Sequence, residues 1–267
     1  MNRQAAFAGR FYPDNASLLR DSILSCLPAG GEQHEALGII VPHAGYMYSG
    51  AVAGATYAAT NLPQTYLLLG PNHTGQGALL SIMSLEHWET PFGAAPIASD
   101  LAQAMLGQGA LFEEDALAHQ EEHALEVQLP FLQYLVPRFT FVPITIGVHR
   151  LSTLLKAGQA IAAALSAYPE RVLMVTSSDM THYQPAEVAW RQDQKALEAI
   201  FRLDPTGLHF AVVQEQLTMC GYAPAVVMLE ACRLLGAKQV KLIKYAHSGH
   251  VTGDFRHVVA YAGVVID

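Results

Sequence analysis

Apolar and polar positions alternate along this chain in blocks rather than residue by residue. Unbroken apolar runs at 37–41 (LGIIV), 66–69 (YLLL) and 172–175 (VLMV) have the length of strands covered on both faces. Further strands are expected at 78–85, 95–98, 139–147, 240–246 and 257–266. Helices are expected at 14–26, 50–60, 100–107, 151–167, 186–201, 205–214 and 223–235. Asp14 or Asn15 can cap the first of these and Ser49 the second. Residues 117–135 place Leu125, Leu129, Leu132 and Leu135 on one helical face, and Pro130 predicts a kink or two helices there. HWETPFG at 87–93 reads as a turn that gathers aromatics. Strand and helix alternate without a repeat or a low-complexity linker. That predicts one α/β domain over 1–267, with three α/β/α layers around a largely parallel, mixed sheet.

Three of the apolar runs end on residues that carry chemistry. LGIIV meets Pro42, which has no amide hydrogen to continue a ladder, and then His43. YLLL runs through Gly-Pro-Asn to His73. VLMV leads to Ser177, Ser178 and Asp179, with His182 three residues on. In open α/β sheets ligands bind at such strand ends, so His43, His73, Asp179 and His182 are expected at one edge.

Composition narrows the field. The 267 residues are 51% hydrophobic and 14% charged, enough to bury a large core. A formal charge of -8 and the lack of a basic run argue against a nucleic-acid partner. No apolar stretch is long enough to span a bilayer, and the first residues carry no apolar core of signal-peptide length. Cys26, Cys220 and Cys232 are odd in number and widely spaced, which predicts a reducing cytoplasm rather than a disulfide framework. Cys26 and Cys232 fall among apolar helical residues and are assigned to packing.

Two strand-end histidines begin a metal site, because neutral imidazole is the commonest metal ligand. Asp179, His182 and Cys220 are the candidates for a third ligand. Two histidines with a carboxylate suit iron(II), while two with a cysteine suit zinc or copper. Asp179 with His182 also forms a carboxylate–imidazole pair that could orient a base. Cys220 precedes a helix, and a thiol near a helix N-terminus is expected to have a lowered pKa. His119-Gln120-Glu121-Glu122-His123 matches the inverted zinc-protease pattern, but a polar helix face lining a cleft explains it better. His247, His250 and His257 cluster with Asp254 around a Gly-rich turn and read as a surface hairpin.

The motifs AGRFYP, VPHAGYMYSG, LGPNH, HWETPFG, EEHALEVQLPFLQ, VPITIG, SSDMTHY, MCGYAPA and GDFRHVVAYAGVVI occur in the order seen in the Memo family. Its bacterial and archaeal members are named AmmeMemoRadiSam system protein B. The resemblance covers essentially the whole chain. It implies a fold similar to the class III extradiol non-haem iron dioxygenases. It also implies that His43 and His73 match the family's two metal histidines, and that Cys220 matches a cysteine where the dioxygenases carry a carboxylate. Asp179 and His182 match the pocket aspartate and the histidine that resembles the dioxygenase base. Tyr46, Asn72, Glu122, His123 and Ser178 lie in the same motifs and are expected around the pocket. The resemblance implies a metal-dependent redox protein holding iron(II) or copper, with zinc as a further fit and a small molecule or peptide as ligand. Association with a radical-SAM protein system is implied in the same way. A non-catalytic metal-handling or peptide-binding protein is the alternative reading, and a zinc hydrolase the third.

Overall fold

The computed structural model describes residues 2–84, 86–109 and 111–267. In chain order its elements begin with α1 (Ala16–Cys26), β1 (Gly38–Val41), α2 (Tyr46–Ala58) and β2 (Thr65–Pro71). Next come β3 (Leu80–Ile82), the hairpin β4 (His87–Thr90) and β5 (Gly93–Pro96), α3 (Ser99–Leu106) and β6 (Glu113–Glu114). Three short helices, α4 (Leu117–Gln120), α5 (His123–Glu126) and α6 (Leu129–Leu135), lead to β7 (Thr140–Ile146) and α7 (Leu151–Ala167). The chain continues through β8 (Val172–Ser177), β9 (His182–Gln184), α8 (Ala186–Phe201), α9 (Pro205–Gln214) and α10 (Tyr222–Leu234). It closes with β10 (Val240–His247), α11 (Gly249–Thr252) and β11 (Val258–Ile266).

The main sheet runs β10-β11-β1-β8-β2-β7-β3-β6, with β9 paired to β11. Its centre, β1-β8-β2-β7, is parallel, while β11 and β3 join on either side antiparallel. Each central strand divides its side chains between two cores. Ile40, Leu67, Leu69, Val142, Ile144 and Met174 face the layer of α3, α7, α8, α9 and α10. Ile39, Val41, Tyr66, Leu68, Phe141, Leu173 and Val175 face that of α1, α2, α5 and α6. With both faces covered, every residue of β1 and β2 is buried, which is why they read as unbroken apolar runs.

One local expectation holds and others need correction. Asn15 caps α1, its side chain accepting from the Ser17 and Leu18 amides. The second helix starts at Tyr46 rather than Gly50, so Ser49 lies inside it and its hydroxyl donates back to the Ala44 carbonyl instead of capping. Residues 87–93 form β4, the turn and the first residue of β5 in the β4–β5 hairpin, with Trp88 buried. The strand expected at 78–85 is shorter, and Leu85 lies outside the described residues.

Candidate metal centre

In the sheet β8 lies between β1 and β2, so the segments leaving β1 and β2 meet over its end. His43 follows β1 and Pro42; His73 follows β2 and Asn72. Their ring centroids are 5.3 Å apart. A third imidazole, His123 at the start of α5, lies 5.2 Å from His43 and 4.7 Å from His73. One ring nitrogen from each lies within 4.8 Å of the other two, so the group can hold one metal ion.

Hydrogen bonds settle which nitrogen of His43 is bare. The Ser177 hydroxyl lies 2.6 Å from the Ala124 carbonyl, 3.0 Å from Gln128 Nε2 and 2.9 Å from His43 Nδ1. A hydroxyl has one proton. It must go to the Ala124 carbonyl, since two acceptor oxygens at that distance would otherwise repel. Gln128 and His43 Nδ1 therefore both donate to Ser177, and His43 Nε2 keeps its lone pair. Burial first, then the neighbouring His123 and His73, push the His43 pKa well below the usual range, so the ring is neutral.

His73 is set the same way by a carboxylate. Glu122 accepts from the His73 amide at 2.6 Å, from His73 Nδ1 at 2.9 Å and from the Ala124 amide at 2.9 Å. Burial alone would raise the Glu122 pKa, but the bonds from His73 and Ala124 outweigh it and hold it low. The ionised carboxylate only accepts, so His73 Nδ1 donates to it, which leaves Nε2 as the ring nitrogen available to a metal. Such carboxylate–histidine pairs orient metal ligands. His73 is the open side of the group, its side chain 33% exposed.

The wall behind His123 is built by the N-terminal arm. Phe11 and Phe7 rest on the His123 ring at 4.6 and 5.4 Å. Buried Glu126 anchors that arm, accepting from Arg3 (2.7 Å), the Ala6 and Phe7 amides (3.0 and 2.8 Å) and the Tyr12 hydroxyl (2.6 Å). Arg3 also donates to the His119 and Glu122 carbonyls and lies over the Trp88 ring. The ion pair is buried, and hydrogen bonds from Arg3 to three backbone carbonyls and from two amides and Tyr12 to Glu126 offset its desolvation.

Cys220 sits just ahead of Gly221, the first residue before α10. A Cβ on Gly221 would lie 2.4 Å from both the Ser177 carbonyl and the Ser178 Cβ. Only glycine lets α10 close against the end of β8, where the Gly221 amide donates to Ser178 Oγ. This brings Cys220 Sγ to 3.1 Å from His43 Nε2. The expectation of a lowered thiol pKa does not hold. Burial first, then the Asp179 carboxylate, push it well above the ordinary range, so helix proximity is outweighed.

Asp179 shares no hydrogen bond with the His182 ring among the described residues. It accepts from the amides of His43, at 2.8 Å, and Ala44, and so fixes the loop that carries His43. His182 is held separately, its amide on Thr218 Oγ1 and its Nδ1 at 2.9 Å from the Thr218 carbonyl. A carbonyl only accepts, so Nδ1 donates to it and Nε2 is the ring nitrogen left for other partners. Among the other expected pocket residues, Asn72 shapes the loop after His73 through the Thr74 hydroxyl and the Gly75 amide. Tyr46 is buried in the wall, its hydroxyl donating to the Val127 carbonyl at 2.6 Å.

His119 and His123 do not share a helix face. Glu122 is extended between α4 and α5, with φ -103° and ψ 121°, and its side chain caps α5 through the Ala124 amide. His119 is fully buried, 5.6 Å from Trp88, with Nε2 on Ser81 and Nδ1 without a partner among the described residues. Its place in the core removes it from any metal set. His123 is the member of the group that sequence reasoning put in the pocket but not among the ligands. The signal was Glu122, an acid directly ahead of the apolar turn HAL, which starts a new helix.

The Memo-like protein family model matches residues 3–265. A MEMO1 family protein of Methanosarcina barkeri is 40% identical over 99% of this chain and 100% of its own length. One from Aquifex aeolicus is 41% identical over 98% of both. Among solved structures, an uncharacterized protein from Escherichia coli K12 covers 85% of this chain and 98% of its own, with a TM-score of 0.58 at 13% identity. At that identity the likeness concerns the fold alone. With the family model and full-length relatives agreeing from end to end, the chain belongs to the Memo family.

Proposed function

We propose that this chain is a metal-dependent redox protein that holds iron(II) or copper through His43, His73 and His123, with Cys220 as a further donor. One observation carries the reading: the Nδ1 atoms of His43 and His73 are both committed to Ser177 and Glu122, leaving bare Nε2 atoms beside a third imidazole. Zinc fits the same nitrogen set. A bound iron or copper ion would supply Lewis acidity and one-electron chemistry. A small molecule or peptide enters beside exposed His73. His182 accepts its proton at Nε2, while Asp179 keeps His43 in place and Ser178 keeps Gly221 against β8.

A second reading, metal handling without turnover, is favoured by the thiol of Cys220 beside His43, since a soft donor suits copper(I). We further propose that residues 1–267 act as one unit in the cytoplasm. The end-to-end family match and three free cysteines support this. Association with a radical-SAM protein system rests on the family resemblance.

The test is metal titration of anaerobically purified parent, His123→Ala and Cys220→Ser, with thermal unfolding alongside. His123→Ala should weaken every ion by at least about tenfold, or 1.4 kcal/mol. Cys220→Ser should weaken copper(I) more than zinc and leave the unfolding temperature in place. Failure of the parent to take up one equivalent of any of the three metals overturns the site. Oxygen uptake by the iron- or copper-loaded parent with a panel of aromatic compounds separates redox turnover from handling.

A further inference from the structure

A second concavity lies between α1, α2 and β10, with a volume of about 890 Å³. It adjoins the candidate metal centre but includes none of its histidines. Phe11, whose ring rests on His123, and Gly45 form its near end. Its walls are apolar and aromatic, with Met47, Tyr48 and Val251 among them. Met47 and Val251 are 68% and 50% exposed.

The charge of this groove departs from that of the rest of the protein. The chain carries 23 acidic residues against 15 Lys and Arg, yet among the described residues no Asp or Glu lines the groove. Arg10, Lys244 and His250 do. Among the described residues neither Arg10 nor Lys244 has an ion-pair partner, so both charges are available to a ligand. The backbone also aims Lys244. The β10–β11 register slips between Leu242 and Lys244. Ile243 packs into the core under α1 and α2, and strict alternation would send the next side chain to the opposite face. The bulge puts Lys244 on the groove face instead, the kind of re-aiming such bulges produce.

We propose that this groove binds a small organic anion: an apolar or aromatic body along Met47, Tyr48 and Val251, with a carboxylate or phosphate head met by Lys244 and Arg10. A concave, largely apolar wall with a few convergent polar groups is the usual form of a small-molecule site. Cations without an ion-pair partner, in a groove lined by no Asp or Glu among the described residues, supply the sign selection. The site needs no metal, so it stands or falls independently of the metal centre.

The probes are 4-phenylbutyrate and phenylphosphonate, which separate carboxylate from phosphate-type heads, with 4-phenylbutylamine and inorganic phosphate as controls. Each is titrated by calorimetry into the full metal-free chain. One or both organic anions should bind, with weakening as salt rises. The amine should not bind, and inorganic phosphate should bind more weakly than the organic anion. Lys244→Glu should weaken binding by at least about tenfold and the Arg10→Glu, Lys244→Glu pair should abolish it. Both residues are exposed, so the unfolding temperature should hold. Met47→Glu tests the wall independently and should also abolish binding. The proposal is overturned if neither organic anion binds at millimolar concentration, if the amine binds equally well, or if the double variant binds like the parent. Loss of binding in His43→Ala alone would place the ligand at the metal centre and overturn it as well.

Discussion

His119 is packed against Trp88 with its Nδ1 unpartnered among the described residues, while His123, four residues on, stands in the open cluster between His73, His43 and Phe11. Both rings are held neutral by burial, with pKa values pushed down to about 3 and about 4. Neutrality alone therefore does not make a metal ligand. His123 has two other imidazoles whose bare nitrogens converge with its own, and a side open to solvent through His73. His119 has Trp88 and the Ser81 hydroxyl as neighbours and no second imidazole among the described residues, so its neutral ring is simply core. The break at Glu122 separates these fates, and the Arg3 guanidinium ties both sides through the carbonyls of His119 and Glu122.

The strongest way to break this arrangement is to remove the anchor shared by both sides. Glu126→Leu would leave Arg3 charged and unpaired where it is 3% exposed, and release the amides of Ala6 and Phe7. A loss of about 3–5 kcal/mol is expected from denaturant unfolding. Retained stability, with the arm still protected from hydrogen exchange, would show that Glu126 is not the anchor.

Acid should discriminate between the two histidines. A histidine whose folded pKa is depressed stays neutral in the native state while the unfolded chain takes up the proton. Stability is therefore full above about pH 6.5, the unfolded value, and falls as pH drops toward the folded values. For His119 the slope is about 1.4 kcal/mol per pH unit down to its folded pKa of about 3. His119→Phe should lower the slope of the stability curve between pH 6 and pH 4 by about 1.4 kcal/mol per pH unit, leaving the share of His43 and His123, and leave zinc binding near neutrality unchanged. An unaltered acid slope in that variant would place the proton uptake elsewhere.

The smallest effect sharpens the metal side. Glu122→Gln removes the charge that orients His73 and caps α5 while keeping nearly the same shape. Metal affinity should fall about 10–100-fold, as for other groups that orient ligands. An unchanged affinity would mean that His73 is placed by its loop alone.

Much of this was legible before folding. Pro42-His43 and Pro71-Asn72-His73 mark strand exits because proline interrupts an apolar run that only a doubly covered strand would carry. Less legible was the start of α2, since Gly45 begins it with no side-chain cap to announce it. His123 was readable only in part, because a four-residue helix has too few positions to display a period.

What the sequence by itself determined is the local grammar: which runs are strands, where they end, and that histidine follows two of them. These follow from short-range physics, the ring of proline and the two-sided burial of apolar runs. What only the tertiary structure decided is who meets whom. The strand order places β8 between β1 and β2 and so joins residues 43, 73 and 179. The Ser177 hydroxyl and Glu122 carboxylate choose the bare nitrogens of His43 and His73. Burial overrode the helix terminus at Cys220, because desolvation of a thiolate outweighs the pull of a few backbone dipoles. Such outcomes depend on groups far apart in the chain, and no local pattern carries them.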